Sequence, residues 1–451
     1  MKELLKASNW ISGLQWLFFI FANTVVIPIT IGAAFHLSQG KIIFLLQFSF
    51  ITVGIACMLQ AVIGHRRAIM EGQSGLWWGV ILTLCSTAAA QGISLETLGG
   101  SLAVGIIISG MLTIIIGLTG TGQYLSKFFN PAVMGVFMFL FGANLIRIFL
   151  KGMFGLPFGN HAGKAAMNLP VTLLSIVIAI IVMVISVKAP GYIARYALLI
   201  GIIVGWILYT IIFHSKSSSG EAAFHIHFFP LGKPAWNIGI IITAVITGLL
   251  NLANTFGALK GTEDMYQTKT TKKQYRLSLS ISGLFVGISG FFGLVPFAPY
   301  VSSIGFLNQT QILKRMPLII GGLMFVIMGV IPPIGHFFSL LPLSVGSAVL
   351  FVSYLQLLNS SFQFFKQVRL NTVNVYRSAI PIFVGIIIMT LPASTFDTLP
   401  NMIRPIISNG LLVGILLALI LENFFSWDHY GLSKEKQQSA EVYMKKDSKA
   451  N

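Results

Sequence analysis

The stretch Ala68-Ile69-Met70-Glu71-Gly72-Gln73-Ser74-Gly75 interrupts an apolar chain, and Phe297-Ala298-Pro299-Tyr300-Val301-Ser302-Ser303-Ile304-Gly305 interrupts it again. Each begins as a short extended run, passes through small and polar residues, and ends in what reads as a helix start. Positions 72 and 303 lie 231 residues apart, close to half of the 451-residue chain. Non-helical backbone at membrane depth is tolerated only where protein or a cavity surrounds it. A pair of interrupted spans at corresponding places in two halves is therefore a pointer to a transporter's binding site.

The surrounding sequence supplies the membrane. Hydrophobic residues make up 55% of the chain and charged residues 9%, against roughly 25% charged in soluble domains. The mean hydropathy is +0.85. Apolar runs long enough to cross about 30 Å of hydrocarbon recur along nearly the whole length, and lipid forces them to be helices. The alternation of an outer-membrane barrel is absent. The reading is an all-α polytopic membrane protein with fourteen segments, at 11–35, 42–64, 74–92, 98–120, 131–150, 170–188, 194–213, 237–259, 277–296, 303–312, 317–335, 343–365, 377–392 and 405–426. The run at 11–35 is too long for a signal-peptide core, so it reads as an uncleaved first span. Cys57 and Cys85 fall inside apolar spans, which indicates core residues rather than a disulfide framework.

A net charge of +17 invites a nucleic-acid partner, but its distribution argues against one. Of the 29 Lys and Arg residues, 22 fall on the side of the N-terminus when the segments are threaded, and 7 on the other. The positive-inside rule then puts both termini in the cytoplasm. Seven segments per half is an odd number, so residues 1–213 and 237–428 run in opposite senses, as an inverted repeat does. An external connection at 214–236 joins them, and a polar tail at 429–451 is expected to be a disordered cytoplasmic end. His225 and His227 in the connection could be metal ligands, but one pair without further ligands is weak and a solvated loop is the favoured reading.

Among twelve Asp and Glu residues, Glu71 alone lies at a membrane-depth break. An intramembrane carboxylate is costly and by default functional; the alternative is a pairing with Arg66 or Arg67. Ser74, Ser302 and Ser303 suit helices that start inside the membrane, whose first N–H groups lack partners. Gly75 and Gly305 permit close approach, and Tyr300 offers a flat face. Asn251 and Asn254, three apart, share one helix face and read either as ligand contacts or as links between helices. Gly321, Gly322 and Gly329 read as packing residues.

These stretches, with Gly13-Leu14-Gln15-Trp16, Asn23-Thr24-Val25-Val26-Ile27-Pro28, His65-Arg66-Arg67 and Gly75-Leu76-Trp77-Trp78-Gly79, resemble the nucleobase–cation symporter-2 family, also called nucleobase/ascorbate transporters. The likeness covers residues from about 10 to 428 and is greatest to a bacterial branch of purine or uracil/xanthine permeases. It implies two inverted sevens, with short strands in segments 3 and 10. It also implies a core domain from segments 1–4 and 8–11 and a gate domain from segments 5–7 and 12–14. It further implies uptake of a purine such as xanthine or urate, or of uracil, with a proton and by alternating access. No cofactor or metal is expected, and dimers form in the family through gate domains.

The chain departs from the family pattern at the site. Where segment 8 usually carries a carboxylate stands Asn254, and Ala258 follows where a polar residue is usual. Segment 10 keeps Gly305 and Thr310 but has Ser302 and Ser303 for an acid or amide and an Asn. The usual Gln-His of segment 1 is Gln15-Trp16, and Glu71 replaces a Gln. The expected substrate contacts are Glu71, Gln73, Ser74, Gly75, Asn254, Tyr300, Val301, Ser302 and Ser303, with Glu71 the coupling candidate. An anion carrier of the same fold is the alternative. A membrane enzyme is disfavoured, because the eight His residues, His65, His161 and His336 among them, are dispersed and no acidic pair appears.

Overall fold

The computed structural model describes residues 7–88, 91–157, 166–194, 196–213, 226–369 and 371–425. The tail at 429–451, His161, His225 and most of the 214–236 connection lie outside the described residues. Fourteen apolar segments follow in order: α1 (Ala7–Ala34), α2 (Gln39–Val62), α3 (Gly75–Ala88), α4 (Leu95–Thr119), α5 (Pro131–Met153), α6 (Leu169–Lys188) and α7 (Ala197–Phe213) come first. The second set is α8 (Ile238–Gly261), α9 (Lys272–Phe292), α10 (Ser303–Thr310), α11 (Arg315–Val330), α12 (Leu343–Phe365), α13 (Thr372–Thr390) and α14 (Gly410–Asn423). Among the described residues nine of these are long and apolar enough to cross a membrane alone.

Helix ends follow local chemistry. Asn130, Asn168, Asn237, Asn371 and Asn409 each cap a helix by accepting a backbone N–H. At α9, Thr271 and Gln274 form a capping box, which starts the helix at Lys272, five residues before the expected 277. Pro28 has no N–H for the Thr24 carbonyl, and α1 breaks at Val25. The expected fourteenth span at 405–426 is shorter than anticipated, because a separate turn at Arg404–Ile407 precedes α14.

Segments 3 and 10 are the interrupted ones. Strand β1 (Glu71–Gln73) precedes α3, and β2 (Phe297–Pro299) precedes α10. Fourteen helical residues rise about 21 Å and three extended ones about 10 Å. In segment 3, strand and helix together thus make one crossing of about 30 Å, whereas the eight residues of α10 rise only about 12 Å. The short α10 meets α11 at a 120° bend.

Packing repeats between the halves. The pair α4 and α9 is matched by α11 and α2, the same two segment types taken from opposite halves. Both contacts are backbone to backbone. A Cβ on Gly110 would lie 2.6 Å from Gly287 N, and one on Gly283 would lie 2.7 Å from Ile114 N. Across the other pair, a Cβ on Gly54 would lie 2.4 Å from Gly322 O, and one on Gly329 would lie 2.7 Å from Gln47 O. Without a hydrophobic drive between helices in lipid, such small residues permit the van der Waals contact that holds them. The packing role expected of Gly321, Gly322 and Gly329 is met. Helices α12 and α14 pack on α5, α6 bears on α7 and α12, and α13 on α14. Cys57 and Cys85 are free thiols in the core.

Candidate functional site

β1 and β2 pair antiparallel, with Glu71 opposite Pro299, Gly72 opposite Ala298 and Gln73 opposite Phe297. The ladder is extended by Ser74 N donating to Pro296 O (2.7 Å) and Tyr300 N donating to Met70 O (2.8 Å). This ribbon satisfies backbone groups that two broken helices would leave bare in the membrane interior. A Cβ on Gly72 would meet Tyr300 Cε2 at 3.2 Å, so glycine there lets the Tyr300 ring lie against the ribbon.

Where the strands end, α8 ties the two breaks together. Ser74 Oγ donates to Asn251 Oδ1 at 2.6 Å. Asn254 Nδ2 donates to the same oxygen at 3.0 Å and lies 3.4 Å from Ser74 Oγ. Asn251 Nδ2 donates to Phe297 O at 3.0 Å, on the other strand. Two amides on one helix face thus reach both strands at once. On the segment-10 side, Ser303 Oγ accepts from Met70 N at 3.1 Å. Tyr300 Oη donates to Gln73 O at 2.5 Å. Ser302 is exposed and its hydroxyl caps no backbone N–H, while Gly305 is exposed with nothing within 4 Å of where a Cβ would stand. Val301 lies beside Gly257 of α8, together with Met134 of α5. A Cβ on Gly75 would fall 2.6 Å from Phe141 of α5, whose ring packs edge-on to Tyr354 of α12 at 6.4 Å.

The structure separates the nine expected contacts into two groups. Ser74, Gly75, Asn254, Tyr300, Val301, Ser302 and Ser303 gather where the two half-helices begin. Glu71 and Gln73, two apart in a strand, share one face of the ribbon, and that face meets α2 and α9. Glu71 is fully buried; its Oε1 accepts from Ser282 Oγ at 2.7 Å and its Oε2 from Gln60 Nε2 at 3.2 Å. Gln73 Nε2 donates to Ser49 Oγ at 3.0 Å. The alternative pairing of Glu71 with Arg66 or Arg67 is not made. The Arg67 guanidinium donates instead to Leu259 O, to Thr262 Oγ1 (3.0 Å) and to Thr268 O (3.0 Å), and lies 5.4 Å from the Tyr266 ring centre. Its charge sits at the C-terminal end of α8, where the helix dipole favours a cation.

Gln60 and Ser282 went unnoticed in the sequence. The signal was there: Gln60 is a polar residue within an apolar span, and Ser278 and Ser282 stand four apart on α9. Ser278 O (3.1 Å) and Ser282 Oγ (3.1 Å) also lie within reach of Gln60 Nε2, whose two hydrogens are shared among these acceptors and Glu71. Asn144 and Arg147 bond to each other at 3.0 Å and through Arg147 to Met389 O, which joins α5 to α13.

A model of a family described as the Permease family matches residues 7–394. The chain is 28% identical over 433 residues to YwdJ of Bacillus subtilis, a candidate purine permease, with 92% of this chain and 96% of that one covered. It is 26% identical over 429 residues to the uric acid permease PucJ of the same bacterium, with 92% of each covered. Among solved structures, the transmembrane domain of the cyanobacterial bicarbonate transporter BicA matches with a TM-score of 0.60 at 15% identity, over 92% of this chain and 96% of that one. That likeness speaks for the fold, two inverted sets of seven segments. Since the family model spans both interrupted segments and the helices that flank them, the chain belongs to the permease family, the nucleobase–cation symporter-2 group, and is a multi-pass membrane transporter rather than an enzyme.

Proposed function

We propose that the protein imports a purine base across the cytoplasmic membrane by proton symport, and that the base binds where α3 and α10 begin. The observation that carries this reading is the cluster of Ser74, Asn251 and Asn254 where α3 begins, with the hydroxyl of Ser302, which caps no backbone N–H, at the start of α10. Amides and hydroxyls both donate and accept, which suits the mixed edge of a purine. The first N–H groups of two half-helices suit its carbonyl oxygens. Tyr300 and Phe141 supply apolar faces. Purine is favoured over uracil by the two relatives above.

In this reading α1–α4 and α8–α11 form a core body that carries the site. α5–α7 and α12–α14 form a gate against which it moves, and both termini are cytoplasmic. Glu71 is the coupling group. It acts from behind the ribbon, because its partners are on α2 and α9 rather than on α8.

Uptake of labelled xanthine, urate and uracil by transporter-deficient cells tests the proposal. Saturable purine uptake that collapses with an uncoupler and ignores excess sulfate is expected. Saturable sulfate uptake without purine uptake would sink it.

A further inference from the structure

Between α4, α8, α9 and β2 lies a small cavity of about 10 Å³, the room one water molecule needs. Its wall carries the side chains of Ser109, Thr113, Asn251, Thr255 and Ser282, with Phe297 and Val286 closing it. Two of these residues belong to clusters already described. Ser282 holds Glu71, and Asn251 holds Ser74 and Asn254. The Ser109 hydroxyl is buried, 2% exposed, and has no protein partner. Gly248 makes room for it, since a Cβ there would sit 1.6 Å from Ser109 Oγ. A buried hydroxyl left without a partner is costly, and a polar cavity with several hydrogen-bonding walls holds water where an apolar one stays dry.

We propose that this cavity holds one water molecule, and that the water carries the protonation state of Glu71 to the Asn251–Ser74–Asn254 cluster. The proposal rests on the reading of that cluster as the substrate site. No proton leaves Glu71 along this route; what changes is the direction of the hydrogen bonds. When Glu71 is ionised, Ser282 gives its hydrogen to Glu71 Oε1 and presents a lone pair to the water. When Glu71 is protonated, its own O–H donates to Ser282 Oγ. That oxygen already accepts from Gln60, so the Ser282 hydrogen turns into the cavity. There it competes for the water with the second amide hydrogen of Asn251, whose first is held by Phe297 O.

The groups around Glu71 leave it as the switching element. From α2 come Gln60 and Cys57, whose thiol lies 3.2 Å from Glu71 O; from α9 come Ser278 and Ser282; and after β2 comes Tyr300. Among the described residues no basic side chain pairs with it.

The test uses the full-length protein in proteoliposomes and two variants, Ser109→Ala and the cavity-filling Ser109→Val. Hydroxyl-radical footprinting reads bound water directly: rapid labelling of the buried Phe297 is expected in the wild type and its loss in Ser109→Val. The KM for labelled xanthine is expected to change roughly three- to tenfold between about pH 5.5 and about pH 8 in the wild type. In both variants that change is expected to flatten to less than about twofold. An unlabelled Phe297 in folded wild-type protein overturns the proposal, as does an unchanged pH dependence in Ser109→Val. Labelling that appears only when Na+ is replaced by choline also overturns it, because the cavity then takes a cation. Footprinting needs no transport, so a protein that carries no purine would refute the transport reading while leaving the water site separately decided.

Discussion

Glu71 is where sequence and structure differ most. From the sequence it is the lone membrane-depth carboxylate, and it belongs with the substrate contacts. In the fold it faces away from Asn254, because side chains two apart in a strand share a face and Gln73 lies on the same side. Among the described residues its side-chain donors are neutral, Ser282 and Gln60, so no fixed cation opposes its protonation. Replacing Glu71 with Gln keeps the shape and an acceptor for Ser282 but removes the titration, leaving a side chain that resembles the protonated acid. The expected result is a protein that folds and still binds purine, with a KM within about threefold of the wild type's value at about pH 5.5. Its uptake rate is expected to lose its dependence on external pH. Unchanged rate and pH dependence in this variant would remove Glu71 from the coupling. Ser74 and Ser302 were legible as candidates because they stand in the breaks, and Asn254 because it shares a helix face with Asn251 three residues away. Ser282 and Gln60 were not, because what matters is that α2 and α9 meet at Glu71, and sequence spacing within one helix cannot say which other helix it faces.

At the scale of the element, the breaks were the most readable part of the chain, and the ribbon explains why they can exist. Two three-residue strands supply each other's hydrogen bonds, so neither segment exposes backbone to lipid. Helix boundaries were less readable. The start of α9 depends on the Thr271–Gln274 capping box, which lies in a charged stretch that a hydropathy reading passes over. The glycines were readable as packing residues but not as to partner. The pairing of Gly54 with Gly322 and of Gly110 with Gly283 is a tertiary fact. It carries a prediction. At Gly54 and Gly283 an added side chain meets backbone, which cannot swing aside as a flexible side chain does. Gly283→Val and Gly54→Val are each expected to destabilise by about 1–3 kcal/mol or more, seen as a lower melting temperature in detergent. Gly287→Ala, where no atom lies within 4 Å of the new Cβ, is expected to leave it unchanged. Equal melting temperatures for all three variants would mean that these helices are not held by close backbone contact.

For the whole molecule, the inverted repeat gives equivalent packing pairs, α4 with α9 and α11 with α2, while α5–α7 and α12–α14 pack chiefly on one another. The sequence carried the count of segments and their opposed senses through charge and parity. The division into a moving core and a gate was implied by family resemblance, and it rests on relative motion that one conformation does not display. A covalent lock converts it into a measurement. Val26 lies on α1 and Gly346 on α12, one in each proposed body. A Cβ on Gly346 would stand 3.6 Å from Val26 Cβ, within the roughly 3.5–4.5 Å that a disulfide spans. The native Cys57 and Cys85 are buried free thiols, so in a double Val26→Cys and Gly346→Cys variant the introduced pair is the one built at bridging distance. Oxidation is expected to reduce purine uptake to less than about a tenth, and dithiothreitol to restore it, while either single variant stays insensitive to oxidant. If the cross-linked protein transports at the reduced protein's rate, α12 does not move against α1 during the cycle. The boundary between core and gate would then have to be drawn elsewhere, with the contact between Gly75 and Phe141 the next place to lock.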